Sequence, residues 1–268
     1  MAAAPELRGA LDLSGLAVLV TGGGKGVGRG ITRRFLEAGA QVMICGRREP
    51  ESPVEYAGRR ALFFAADVRD AEQSAALVEA ARERFGRLDV LVNNAGGSPE
   101  AAAATVSPRF SEAILRLNLI APLVLSQQAN AVMQRQPAGG SIVNIASVSG
   151  IRPSPGTAAY GAAKAGLLSL TTTLAVEWAP KVRVNAITAG MIRTEQAHLH
   201  YGDEQGVASV GATVPLGRLG EPEDVGDACL FLASPLARYV SGANLLLHGG
   251  GERPAFLAAA KNKSGPEV

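Results

Sequence analysis

Leu16-Ala-Val-Leu-Val-Thr21-Gly22-Gly-Gly-Lys25-Gly26-Val27-Gly28 is the stretch that decides the fold. Its first half is a short apolar run without alternation, which suits a strand covered on both faces. Its second half is a turn with glycines at Gly22, Gly26 and Gly28, a Gly-x-x-x-Gly-x-Gly spacing. The amphipathic stretch 29–38 follows and stops at Gly39. Strand, glycine turn and helix in that order let a backbone approach a pyrophosphate, and the helix start offers it free N–H groups. A glycine turn by itself is also compatible with a plain loop.

The rest of the chain repeats the alternation. Apolar runs at 41–46, 62–68, 88–93, 141–146, 182–187 and 245–249 read as further strands. Helical periodicity falls at 70–85, 107–136, from about 157 to 178, and 221–233, with Pro222 at a first-turn position. The connector 49–60 carries Pro50, Pro53 and Gly58, so any crossover helix there is short. Strands alternating with helices predict an α/β fold, one doubly wound seven-stranded parallel sheet in a single domain over 14–251. Residues 1–13 read as a loose N-terminal arm and 252–268 as a C-terminal tail.

Composition agrees and narrows the function classes. Apolar residues make up 47% and charged ones 19%, which is globular rather than disordered. A net charge of +2 without basic runs gives no nucleic-acid footprint. Cys45 and Cys229 sit in apolar contexts and read as reduced core residues. No apolar run is long enough for a membrane span or a leader, so the expected location is cytoplasmic.

The strand ends carry the binding candidates. The second strand ends in Gly46, Arg47 and Arg48, where NAD sites place an acidic residue. With Lys25 these cations favour a 2′-phosphate, hence NADP(H) over NAD(H), although Arg47 and Arg48 also suit the start of a solvated loop. Asp67, followed by Val68, is placed either to meet an adenine amino group or to cap the next helix. Asn93-Asn94-Ala95-Gly96 suits either a cofactor ribose or a simple turn. Asn118 lies among apolar neighbours and must find partners, and Pro122 after it is placed to bend the helix.

Ser147-Val-Ser-Gly-Ile-Arg-Pro-Ser-Pro-Gly-Thr-Ala-Ala-Tyr160-Gly-Ala-Ala-Lys164 carries the chemistry. Tyr160 and Lys164 are one helical turn apart, and Ser147 ends a strand beside them. A phenol with a pKa near ~10 needs roughly 4 kcal/mol of preferential phenolate stabilisation to titrate near 7. An ammonium one turn away has the right sign to supply it, and a cationic cofactor ring adds to it. Ser147 can then hydrogen-bond a substrate oxygen as charge develops.

Taken together, the chain resembles the short-chain dehydrogenase/reductase family over about residues 14–250. The resemblance rests on Thr21-Gly-Gly-Gly-Lys-Gly-Val-Gly28, Asp67-Val68, Asn93-Asn-Ala-Gly96, Asn118, Ser147 and Tyr160-Gly-Ala-Ala-Lys164. It implies a Rossmann-type sheet and hydride transfer between a nicotinamide dinucleotide and a small-molecule alcohol or ketone. It implies that Tyr160 is the general acid/base and that Lys164 lowers its pKa and binds the nicotinamide ribose. Ser147 would polarise the substrate oxygen, and Asn118 would hold a water in a proton relay. The cofactor set it implies is Gly22, Lys25, Gly26, Val27, Gly28, Arg47, Arg48, Asp67, Val68, Asn94, Ala95, Gly96, Tyr160, Lys164, Gly190, Ile192 and Thr194. Ala189-Gly190 departs from the family's Pro-Gly at that point. The resemblance also implies a homotetramer (or homodimer) packed through 107–136 and 157–178, and a substrate lid at 191–216. Met191, Leu199 and Val207 in that lid suggest an apolar, acyl or steroid-like substrate. Arg152 is placed to meet a carboxylate or thioester-linked group, or solvent. His198-x-His200 has no accompanying third ligand, so no metal is expected. Two rivals remain, a methyltransferase with a similar glycine turn and a non-catalytic dinucleotide-binding protein.

Overall fold

The first strand, β1 (Ala17–Thr21), is buried along its whole length. Val18 and Val20 point into one hydrophobic cluster and Leu19 into the other, the alternation a pleated strand imposes. A central strand between two cores therefore needs apolar residues at every position. This computed structural model of the protein describes residues 9–195, 197, 201–254, 256 and 260.

Beside β1 lie β2 (Gln41–Gly46) and then β3 (Leu62–Ala65) on one side. On the other side follow β4 (Val90–Asn93), β5 (Gly140–Ser147), β6 (Val182–Ala189) and β7 (Asn244–Leu247). All pairings are parallel, in the order 3-2-1-4-5-6-7. The chain thus reverses its direction of travel between β1 and β4, where open sheets of this kind bind ligands at the strand carboxyl ends.

Helix α1 (Gly26–Glu37) and helix α7 (Pro222–Ala233) cover one face, burying Ile31, Phe35, Val225 and Cys229. On the other face α2 (Ala71–Phe85) contributes Leu77 and Val78, α4 (Ala121–Met133) Leu125 and Ala129, and α5 (Ala158–Glu177) Leu174. Between them in the chain come α3 (Pro108–Leu115) and, after β6, α6 (Glu204–Thr213). Helix α7 starts at Pro222 behind a capping box of Glu221 and Asp224, as its sequence predicts.

Several expectations are corrected. The helical stretch expected at 107–136 is found at 108–133, but it is not uniformly α-helical. A π-helical segment, Arg116–Ile120, separates α3 from α4. Asn118 causes part of this, because its Nδ2 donates 2.9 Å to the Ile114 carbonyl. Pro122, lacking an N–H, cannot make the ordinary fourth-residue bond back to the Asn118 carbonyl. The connector 49–60 contains no helix at all but a short hairpin of Glu55–Tyr56 and Arg59–Arg60. The helix after β3 is capped by Asp70, whose carboxylate accepts from the Glu72 and Gln73 N–H groups, and not by Asp67. Residues 9–13 do not hang loose. Leu13 is fully buried and its N–H donates 2.7 Å to the Ala38 carbonyl, while residues 1–8 lie outside the described part.

Candidate functional site

Ser147, Tyr160 and Lys164 come together at the carboxyl end of β5. Ser147 is the last residue of that strand, and its hydroxyl accepts the Ser149 N–H at 3.2 Å, which fixes the short turn Val148–Gly150. Tyr160 and Lys164 lie in the first two turns of α5. Ser147 is the polar side chain that acts on the Tyr160 phenol. Lys164 is buried; its Nζ donates 2.7 Å to the Ile145 carbonyl and stands 5.5 Å from the centre of the Tyr160 ring.

The electrostatics differ from the expectation that Lys164 lowers the phenol. Burial pushes the Tyr160 pKa up, and it is Ser147 that opposes the shift. Burial also pulls Lys164 down to about 8. The protein alone therefore disfavours the charged form of both groups.

Asn118 completes the cluster. Its Oδ1 accepts the Gly97 N–H at 2.9 Å and its Nδ2 donates 3.0 Å to the Gly97 carbonyl. The fully buried amide is thus satisfied by the chain leaving β4 and by the last turn of α3. Gly96 must be glycine here, because a Cβ on it would stand 2.6 Å from Asn118 Oδ1 and 3.4 Å from Lys164 Nζ.

The glycine turn is built to bring backbone close to a ligand. A Cβ on Gly28 would lie 2.2 Å from the Gly22 carbonyl oxygen. Gly26 has φ +52, a conformation that side chains rarely adopt, and it opens α1. Its N–H already holds an anion: the Glu195 carboxylate accepts it at 2.9 and 3.2 Å. Helix start, glycine backbone and a seated carboxylate are the donor chemistry that a pyrophosphate requires. Thr194 lies beside this turn, with its methyl 3.6 Å from where a Gly26 Cβ would stand.

Beyond the turn, Lys25, Arg47 and Arg48 are exposed. Among the described residues no carboxylate holds any of them in an ion pair. Arg29 straps the loop after Arg48 down, donating 3.1 Å to the Ser52 carbonyl and 3.2 Å to that of Pro53. Asp67 is held by Arg69, whose Nε lies 2.9 Å from Oδ1, and this keeps its pKa below the ordinary carboxylate range. Val68, Val27 and Ala95 direct their side chains to the cores.

The amides ending β4 serve the fold. Asn94 Nδ2 donates 2.8 Å to the Thr21 carbonyl, and Asn93 is buried against Ser126 and Asn144. Gly190 donates to the Leu247 carbonyl at 2.8 Å, and Ile192 bridges to Gly220 while packing on the core. In the segment 191–216, Met191 and Val207 pack with Ala197, Val214 and Leu219 in a small cluster of their own, so their apolar character is used there. His198, Leu199 and His200 lie outside the described residues. Arg152, expected to face substrate or solvent, is paired with Glu252. The described residues contain no acid, histidine or cysteine group suited to a metal, and no helix among them is long and apolar enough to cross a membrane.

Sequence reasoning missed Thr21, Arg29, Arg69 and above all Glu195. The Thr21 hydroxyl accepts the N–H groups of both Asn94 and Ala95 at 2.9 Å. An acid directly after Thr194 was the available signal for Glu195, but its partner is 169 residues away.

Comparison with known proteins places these features in context. The family described as Enoyl-(Acyl carrier protein) reductase matches over residues 22–252. A 3alpha-hydroxysteroid dehydrogenase of Mediterraneibacter gnavus is 35% identical, the match spanning 88% of this chain and 97% of that protein. A 3-oxoacyl-[acyl-carrier-protein] reductase of Vibrio cholerae is also 35% identical, over 90% of this chain and 98% of its own length. The ligand-free aldohexose dehydrogenase of Thermoplasma acidophilum superposes with a TM-score of 0.83 at 30% identity, covering 96% of this chain and 99% of that one.

The buried lysine makes a pH signature. Its pKa falls from 10.5 in the unfolded chain to about 8 in the folded one, so between these values the unfolded chain binds the extra proton. The cost of burying Lys164 is therefore complete below pH 8, and stability rises as pH climbs towards 10.5. In urea denaturation, the stability of the wild type minus that of Lys164→Met should rise by about 2 kcal/mol between about pH 8 and 10. A difference that stays flat would mean that Lys164 titrates like a solvated lysine.

Proposed function

The chain belongs to the short-chain dehydrogenase/reductase family, and on that premise we propose that it transfers a hydride between NADP(H) and a secondary alcohol or ketone. The observation that carries the reading is the meeting of Tyr160, Ser147 and Lys164 at the end of β5, with β4 between it and the strand that leads into the glycine turn. Gly22, Gly26, Val27 and Gly28 with Thr194 hold the pyrophosphate, and Asn94, Ala95, Gly96, Gly190 and Ile192 line its path. Asp67 and Val68 flank the adenine. The bound dinucleotide supplies or takes the hydride.

In the reductive direction Tyr160 gives its proton to the substrate oxygen. Its raised pKa keeps it protonated and ready to donate. Ser147, beside the phenol, donates to the same oxygen as charge develops. Lys164, lowered to about 8 and in contact with the Ile145 carbonyl, stands behind the phenol to return a proton from solvent through a water held at Asn118. A ketone panel containing a 3-oxoacyl thioester and a 3-ketosteroid, the chemistry named for the two relatives above, is the first substrate test. Tyr160→Phe should cut turnover about 100-fold or more while dinucleotide binding persists. Retained turnover would remove Tyr160 from this role.

The exposed Lys25, Arg47 and Arg48, unpaired with any described carboxylate, support NADP(H) over NAD(H). Arg47→Ala should weaken NADPH about tenfold and leave NADH nearly unchanged, read by nicotinamide fluorescence on titration. Equal losses would defeat the preference.

A homotetramer is part of the same reading. From Ala158 to Val176 the outward face of α5 carries no charge, showing Ala162, Ala165, Ser169, Thr172 and Val176 to solvent. A surface helix ordinarily has a charged outer face, and small residues permit close helix approach. Sedimentation should show a mass above the monomer that Ser169→Glu reduces. An unchanged mass would send the interface elsewhere.

A further inference from the structure

The contact between Glu195 and Gly26 has no place in the catalytic scheme above. It joins the first residue of α1 to the start of the 191–216 segment, across 169 residues of chain. Nothing on α1 itself answers the positive end of the helix: Lys25 at the cap makes no side-chain hydrogen bond, and the first turn has no acid. The Glu195 carboxylate supplies that charge, with both oxygens within 3.2 Å of one N–H. A pyrophosphate at the end of this glycine turn needs the same N–H, and two anions do not share one donor. Glu195 also lines a cavity of about 690 Å³ with Arg193, Thr194, Asp203, Glu204 and Pro222, so the side chain has room beside it to leave.

We propose that Glu195 is a built-in occupant of the phosphate site, displaced when a dinucleotide binds. Its carboxylate holds the empty glycine turn, lowers the affinity for cofactor, and ties the start of the substrate segment to the state of the cofactor site. The proposal rests on the dinucleotide reading above.

Dissociation constants of NADPH and NADH for the wild type, Glu195→Gln and Glu195→Ala test this. Adenosine, which has no phosphate, is the control, read by displacement of NADPH. The alanine variant should bind both dinucleotides about tenfold tighter, the equivalent of one charge-assisted hydrogen bond removed from the competing state. The glutamine variant, which keeps an acceptor without the charge, should fall between alanine and wild type. Adenosine should bind all three alike. Variants that bind dinucleotides as the wild type does, or more weakly, would overturn the displacement while leaving the cofactor assignment standing. A wild type that binds no dinucleotide would overturn both. A preference for NADH with the same tightening in the variants would overturn only the assignment of NADP(H) and support the displacement.

Discussion

The hydroxyl of Thr21 accepts the backbone N–H groups of Asn94 and Ala95, and Asn94 returns a bond to the Thr21 carbonyl. These bonds pin the end of β1 to the end of β4 at the point where the sheet order reverses. From one side of the clamp the chain leaves as the glycine turn and α1. From the other it leaves through Gly96 and Gly97 towards Asn118. The crevice between them exists because two neighbouring parallel strands send their helices to opposite faces. The glycine turn stands on one side of it because β1 ends there, and Asn94, Ala95 and Gly96 stand on the other because β4 does.

Below the rim a buried polar chain sets the depth of the site. Asn93 donates to Ser126 and to Asn144, and Asn144 donates to Thr171. The chain crosses β4, α4, β5 and α5. A misregister of either strand by one residue would leave these amides without partners in an apolar core, at a cost of about 1–3 kcal/mol each. The network therefore specifies register, and with it the height at which Ser147 faces Tyr160. Exposed pairs such as Arg82 with Glu79 contribute far less, roughly 0–1 kcal/mol.

The site's charge is governed by burial rather than by ion pairs. Lys164 donates to a carbonyl and stands 5.5 Å from the Tyr160 ring, and burial disfavours the charged form of both groups. The phosphate end is the reverse. There the helix start and the glycine backbone already attract negative charge strongly enough to hold a carboxylate.

The order of strands and helices, the glycine turn and the Tyr160/Lys164 spacing were legible because they are local. Periodicity, turn chemistry and a four-residue helical offset are set by neighbours in the chain. The π turn inside the helical stretch at 107–136 was not legible, because Asn118 bonds both its own helix and Gly97, a partner the periodicity of the segment does not display. The same is true of Leu13, whose burial depends on α1, and of the amides at the end of β4, which are consumed by Thr21 and by α4. By itself, then, the sequence determined what class of sheet forms and which candidate side chains stand one helical turn apart at its edge. Only the tertiary structure decided which charges are active and which are spent. Desolvation and hydrogen-bond partners depend on what distant chain segments cover a group, and Glu195 on Gly26 is the clearest instance.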